Sequence, residues 1–314
     1  MNETVVVTGA SGFAGGHLLD LLSQDHRSLV GWQRPGAALP SHHSNVRWMA
    51  VDMLDSAAVR QAVGETRPAV MYHCAGAAHT AQSWRNAAST LEANVLGTHH
   101  LLEALRAAHL KSRVLVPGSA LVYRPSDQAL AEDATISPQS PYATSKLAQE
   151  LLGVHVVREA ALSVFLTRSF NHLGPRQAPS FAASSFARQL ARIEAKLEPP
   201  VIHVGNLEAR RDMTDVRDVV RAYRDIVARG RPGRVYNVCS GRAFPIADIL
   251  QRLVALARVQ VEIRVDVTRL RPNDVPLLLG DARRIREEVG WSSAIPIDRT
   301  LADLLDYWRA RADL

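Results

Sequence analysis

Cysteine is scarce, with only Cys74 and Cys239 in 314 residues. Two thiols cannot staple a chain of this length, and both sit in apolar strand-like runs. Reduced thiols in a cytoplasmic protein are therefore expected. No run of about 18 apolar residues occurs, so no helix should span a membrane. The first strand-like segment starts at Thr4 with no basic stretch or apolar leader before it, which argues against a secretory signal. Glycine (18) and proline (16) follow no period, which excludes collagen-like and low-complexity chains. Neither sign of charge dominates: 37 Lys and Arg against 31 Asp and Glu leave +6. That excess suits an anionic small ligand, and with no basic run interleaved with aromatics, nucleic acid is not read as a partner.

What is present is 47% hydrophobic residues, enough for a sizeable core. At this length one large α/β domain or two interleaved ones are expected, because single cores stop growing near roughly 250–300 residues. Short β-branched runs alternate with segments of helical period, the pattern of a parallel sheet with crossover helices. Strands are read at Thr4–Thr8, Leu29–Trp32, Val46–Ala50, Ala69–His73, Arg113–Val116 and Ser163–Thr167. Helices are read at Gly12–Ser23, Ser56–Gly64, Trp84–His109 and Pro141–Glu159. Leu91, Val95, Leu102 and Leu105 should share one buried face of the third helix. After about residue 170, loops rich in Gly, Pro and Asn are expected at 171–179, 205–211 and 269–276, and Leu301, Leu304, Leu305 and Trp308 mark a last helix. The fold expected is a Rossmann-type doubly wound parallel sheet, residues 1–170 with part of 212–240 returning to it, followed by a smaller α/β substrate-binding part, 171–314.

Directly after the first strand comes Thr8-Gly9-Ala10-Ser11-Gly12-Phe13-Ala14-Gly15, then an apolar helix. Glycines at such a turn let backbone approach a pyrophosphate, whose charge rests on the free N–H groups of the helix N-terminus. Gly9, Gly12, Phe13 and Gly15 are the candidate cradle. An acid at the end of the second strand would bind the ribose hydroxyls of NAD, but this strand ends Gly31-Trp32-Gln33-Arg34. Arg34 offers a planar cation for a 2′-phosphate, so NADP(H) is favoured over NAD(H). Asp52, after the third strand, is placed either to meet the adenine edge or to cap the helix at Ser56.

Tyr142 and Lys146 lie four apart in a helix and so share a face. A phenol, with an ordinary pKa near 10, needs a nearby cation to act at neutral pH, and Lys146 supplies one. Ser119, about 23 residues earlier, follows a strand end, where open α/β sheets place active-site groups.

With its TGxxGxxG loop, Ser119-Ala120-Leu121-Val122-Tyr123 and Tyr142-Ala143-Thr144-Ser145-Lys146 in order, the chain resembles the extended short-chain dehydrogenase/reductase family nearly from end to end. The resemblance implies that Tyr142 exchanges a proton with the sugar oxygen, that Lys146 lowers its pKa and holds the nicotinamide ribose, and that Ser119 hydrogen-bonds the reacting oxygen. It also implies a homodimer through the helices Trp84–His109 and Pro141–Glu159.

The later motifs narrow the resemblance. Phe170-Asn171-His172-Leu173-Gly174-Pro175 implies that Asn171 contacts a sugar-nucleotide diphosphate. Arg211-Asp212-Met213-Thr214-Asp215-Val216 and Leu270-Arg271-Pro272-Asn273-Asp274 imply that Arg211 and Arg271 grip the pyrophosphate, with Asp274 beside them; arginine suits that work through its bidentate fork. This set is most similar to 4-reductases of nucleoside-diphosphate-4-keto-6-deoxyhexoses, GDP-linked ones in particular. Dehydratases of the family follow the catalytic hydroxyl with an acidic pair, whereas here Ala120 and Leu121 follow Ser119. Arg124-Pro125 stands where a glycine is usual, so the loop over the sugar differs.

NADPH-dependent reduction of the C4 ketone of such a GDP- or dTDP-linked sugar is therefore expected. A sugar-nucleotide 4-epimerase that keeps its NAD is the alternative, and a non-catalytic dinucleotide binder of the same fold is disfavoured by the intact Ser119, Tyr142 and Lys146. His79, Thr80 and Ser83 follow the fourth strand on the substrate side, so Thr80 and Ser83 are read as sugar contacts. The adjacent pairs His42-His43 and His99-His100 cannot point at one metal, and His73-Cys74 with His79 lacks ligand company, so no metal site is expected.

Overall fold

The computed structural model describes residues 3–25, 28–38, 44–159, 162–269 and 275–313. The first half runs β1 (Thr4–Thr8), α1 (Phe13–Leu22), β2 (Ser28–Gln33), β3 (Val46–Ala50), α2 (Ser56–Thr66), β4 (Val70–His73), α3 (Thr80–Arg85), α4 (Ala87–Leu91), α5 (Gly97–Ala107), β5 (Arg113–Ser119) and α6 (Pro141–Arg158). Then follow β6 (Ser163–Ser169), β7 (Asn171–Leu173), α7 (Ala182–Glu194), β8 (Val201–Val204), β9 (Arg210–Asp215), α8 (Val216–Arg229) and β10 (Val235–Val238). The chain ends with β11 (Ala243–Pro245), α9 (Ile246–Ala255), β12 (Glu262–Val265), β13 (Leu277–Leu278), α10 (Arg283–Val289) and α11 (Ile297–Arg309).

Seven parallel strands form one sheet in the order β10-β6-β5-β4-β1-β2-β3. Its direction of winding reverses between β1 and β4, and ligands bind at the carboxyl ends of strands at such a switch point. After β9 the chain returns to this sheet: α8 packs on α1, and β10 pairs with β6. Apolar side chains of α1, α8 and the strands make one core layer, and those of α2, α5 and the opposite strand faces make another. A separate core gathers α7, α9, α11 and β8, with Trp308 Nε1 donating to Ser184 Oγ at 2.9 Å.

Local rules set the boundaries. Asp55, not Asp52, caps α2, its Oδ1 accepting from the N–H groups of Ala57 and Ala58. Ser140 caps α6 with Pro141 at its first position. β5 and β6 continue past the expected ends at Val116 and Thr167, to Ser119 and Ser169.

The helix expected over 84–109 is in fact interrupted twice, at Asn86 and at a π-type turn. Asn86 ends α3 and caps α4, its Oδ1 accepting from Ser89 N at 3.1 Å. A π-type turn, Glu92–Leu96, then joins α4 to α5. One extra residue per turn rotates what precedes it, so Leu91 is exposed while Leu102 and Leu105 are buried. The four-residue apolar face read from the sequence is thereby split. In the later loops, β7 occupies part of 171–179 and β9 starts at Arg210; residues 270–274 lie outside the described residues.

Candidate active site

Gly9 makes the turn after β1 in the left-handed region, φ +61°, and a Cβ there would lie 2.7 Å from the Ala75 nitrogen. A Cβ on Gly15 would lie 2.3 Å from the Gly9 carbonyl oxygen, so the loop closes only with glycine at both positions. Among the described residues no side chain caps the N-terminus of α1, and its first N–H groups stay available to an anion. Phe13 stacks on His172 of β7, centroids 5.8 Å apart and planes at 7°, so the glycine loop abuts the segment that carries Asn171. At the end of β2, Gln33 Nε2 donates to the Ala37 carbonyl at 3.0 Å. Its Oε1 is buried with no partner among the described residues, while Arg34 is exposed beside it. A glycine cradle, an uncapped helix and an orphaned amide oxygen at the strand end fit a dinucleotide. Asp52 is exposed, and its Oδ1 accepts from Leu54 N at 2.9 Å.

At the carboxyl edge of the sheet stands Ser119, the last residue of β5. Its Oγ accepts from Leu121 N at 3.2 Å and shares a hydrogen bond with the Tyr142 phenol. Burial pushes Tyr142 up to about 12, with the Ser119 bond pulling the other way. Lys146, one turn along α6, is brought down to about 8 by burial. Its ammonium donates to the Pro117 carbonyl at 3.0 Å and to Gln149 Oε1 at 2.7 Å. The sequence reading assigned the phenol's tuning to Lys146; in the fold, burial and Ser119 are the two influences on it. A protonated phenol and a hydroxyl converging at a strand end can deliver a proton to an oxygen that gains negative charge.

The substrate-side candidates divide. Asn171 opens β7 and is exposed at the sheet edge. Thr80 starts α3 half-buried. Ser83 is fully buried: its Oγ donates to the Thr80 carbonyl at 2.7 Å and accepts from Tyr142 N at 3.2 Å, tying α3 to the start of α6. Its hydroxyl is thus engaged with backbone rather than offered to a sugar. His79 stacks on Phe181 at 4.8 Å. Arg211 lies on β9, its Nη1 donating to the carbonyls of Arg210 and Val275 at 2.9 and 2.6 Å. It thereby holds the chain just past residues 270–274. Arg271 and Asp274 fall outside the described residues, as do His42 and His43. His99 and His100 have ring centroids 6.0 Å apart, and His100 Nδ1 is bonded to the Met53 carbonyl.

Sequence reasoning missed Asn94, Gln149, Thr98 and His73, which line the interior behind Tyr142 and Lys146. One signal was available for Gln149, which lies three residues after Lys146 and hence on the same helix face. Asn94 sits inside the π-type turn that the single-helix reading smoothed over.

A family model described as GDP-mannose 4,6 dehydratase matches residues 6–304. The chain belongs to that family, within the extended short-chain dehydrogenases/reductases. It is 35% identical to the GDP-6-deoxy-D-mannose reductase of Pseudomonas aeruginosa, with 99% of each chain covered. The structure of RMD from Pseudomonas aeruginosa complexed with NADPH superposes at TM-score 0.86 with 33% identity, covering 98% of this chain and 99% of that one. MoeE5 in complex with UDP-glucuronic acid and NAD superposes at TM-score 0.86 with 30% identity, covering 99% and 100%. The chain is an enzyme of the oxidoreductase type.

Proposed function

We propose that the chain reduces the C4 ketone of a nucleoside-diphosphate-4-keto-6-deoxyhexose, GDP- or dTDP-linked, with NADPH, yielding an activated 6-deoxysugar. One observation carries this reading. The proton-donating set Ser119, Tyr142 and Lys146 is complete, while the two residues that follow Ser119 are apolar, Ala120 being buried and Leu121 packed against the core. Elimination of water across C5 and C6 needs an acid–base pair there, whereas ketone reduction needs only the proton donor.

NADPH bound along the glycine loop supplies the reducing equivalent. Ser119 and Tyr142 hold the ketone oxygen, and the phenol donates its proton as that oxygen becomes an alkoxide. An alkoxide is a stronger base than a phenolate, so the transfer runs downhill even from a phenol near 12. A phenol held protonated suits a step that begins with donation. An epimerase must begin with proton abstraction, for which the same burial is adverse. Arg211, with Arg271 and Asn171, is assigned to the substrate's diphosphate, and Arg34 to the 2′-phosphate of the cofactor.

NADPH oxidation followed at 340 nm with GDP-4-keto-6-deoxymannose and, separately, dTDP-4-keto-6-deoxyglucose tests the proposal. Turnover with one ketone alone assigns both the reaction and the nucleotide. Inertness with both, together with stoichiometric NAD in the purified protein, would turn the assignment to a 4-epimerase.

We further infer a division into a cofactor part, 1–170 joined by residues from 212–240, and a sugar-nucleotide part, 171–314. Trp84, Leu91, Leu96 and Leu151 are large, exposed and apolar on α3, on the α4 to α5 helix and on α6. They support a homodimer built on these helices. Sedimentation velocity at micromolar protein should give twice the chain mass, and a monomer would refute the dimer. Cys74 and Cys239 are free thiols, which suits a cytoplasmic enzyme.

A further inference from the structure

Behind the Tyr142–Lys146 face of α6, buried polar side chains run unbroken from the catalytic lysine to the cofactor loop. Lys146 Nζ donates to Gln149 Oε1 at 2.7 Å, and Gln149 Nε2 reaches Thr98 Oγ1 at 2.6 Å. Thr98 Oγ1 lies 2.6 Å from the Asn94 carbonyl and 3.0 Å from His73 Nε2. His73 Nδ1 lies 2.9 Å from Thr8 Oγ1, which accepts from Ala75 N at 3.1 Å. Thr8, His73, Thr98 and Gln149 are all buried.

Donor counting fixes every proton in this chain. The Asn94 carbonyl can only accept, so the single Thr98 proton points to it, and Gln149 and His73 must both donate to Thr98. His73 therefore carries its hydrogen on Nε2, accepts from Thr8 on Nδ1, and stays neutral; burial holds it down to about 3. Gln149, with its NH2 committed to Thr98, must turn Oε1 to the lysine. The reverse orientation would set an NH2 against an ammonium.

We propose that Gln149 is a positioning residue for Lys146: Gln149 Oε1 and the Pro117 carbonyl form a neutral two-acceptor cradle, whose orientation is imposed through Thr98, His73 and Thr8. Neutral acceptors fix the ammonium in place without cancelling its charge, which a carboxylate at 149 would do. The other groups that face Lys146 leave that charge intact. The Cys74 thiol after β4 is pushed up to about 12 by burial, His73 is neutral, and Tyr142 is protonated. Glu150, next on α6, is closed in a bidentate pair with Arg168 of β6.

The inference rests on reading Lys146 as the cation of the reductase site. Its test is the pH dependence of two quantities, kcat/KM for ketone reduction and the equilibrium NADPH affinity read by cofactor fluorescence, in the full-length wild type, Gln149→Leu and Gln149→Glu. Lys146 is brought down to about 8, so both quantities should fall in the wild type as pH rises through that value. Removing a charged hydrogen bond in Gln149→Leu should move the fall about 1 to 2 pH units lower, a loss of roughly fivefold to fiftyfold at pH 8 that shrinks to about twofold or less at pH 6. Gln149→Glu is isosteric and should move the fall at least about one unit higher. Equal, pH-independent losses in both variants, with the fall unmoved, would overturn the proposal. If Gln149→Leu fails to fold, Gln149→Met supplies the same loss of acceptor at matched length. The NADPH titration involves no turnover, so shifted affinity profiles with no ketone reduced would sink the reductase reading and leave the cradle standing.

Discussion

Tyr142→Phe is expected to lower kcat by roughly two to four orders of magnitude, the scale of a positioned acid. The ring is half-buried and its backbone N–H is held by Ser83, so the phenyl group should keep its seat. The hydroxyl is what is lost: it bonds Ser119 and is the group assigned to protonate the ketone oxygen. NADPH affinity should stay within about threefold, because no residue of the glycine loop is touched. Steady-state kinetics beside a fluorescence titration separate the two effects. Retained turnover would take Tyr142 out of the mechanism.

The second large effect is on stability. Arg168 and Glu150 are both buried and joined by two hydrogen bonds, Nε to Oε2 at 2.9 Å and Nη2 to Oε1 at 2.6 Å. The guanidinium also donates to the Glu132 carbonyl and lies 4.7 Å from the Tyr123 ring centroid. Glu150→Leu would strand a buried cation, for which about 3–5 kcal/mol is the usual cost. Arg168 faces Gly118 in the β5–β6 register, one residue from Ser119, so the damage should reach the active edge of the sheet. Urea denaturation measures the loss, and the double variant Glu150→Leu/Arg168→Met should recover much of it, because replacing both charges avoids the unpaired one. A single-variant loss under about 1 kcal/mol would show that solvent reaches the arginine.

Much of this was legible from residue order. The parallel sheet, the glycine turn and the placing of Ser119, Tyr142 and Lys146 follow from periodicity and motif spacing, because strands and crossover helices repeat a local pattern. Errors occur where tertiary contact overrides local signal. Pro117-Gly118 reads as the end of β5, yet the strand continues because β6 pairs beside it through Ser119. A Cβ on Gly118 would sit 2.3 Å from the Thr167 carbonyl oxygen, so this glycine permits the close approach rather than breaking the strand. Asn86 and the π-type turn at Glu92–Leu96 split one apparent helix, because a cap and an inserted residue leave hydrophobic spacing nearly intact. Ser83 carries the right chemistry near the right strand end, but its oxygen is taken by nearby backbone groups. The interior from Lys146 to Thr8 draws on β1, β4, α5 and α6, a gathering that no local pattern announces.

The central claim is that this site reduces a C4 ketone at the expense of NADPH. Turnover of GDP-4-keto-6-deoxymannose with NADPH deuterated at both C4 positions, and NMR of the sugar product, tests it most directly. Net reduction with one deuterium at C4 of the hexose is the predicted result. A product with no deuterium at C4, formed without net consumption of NADPH, would contradict it.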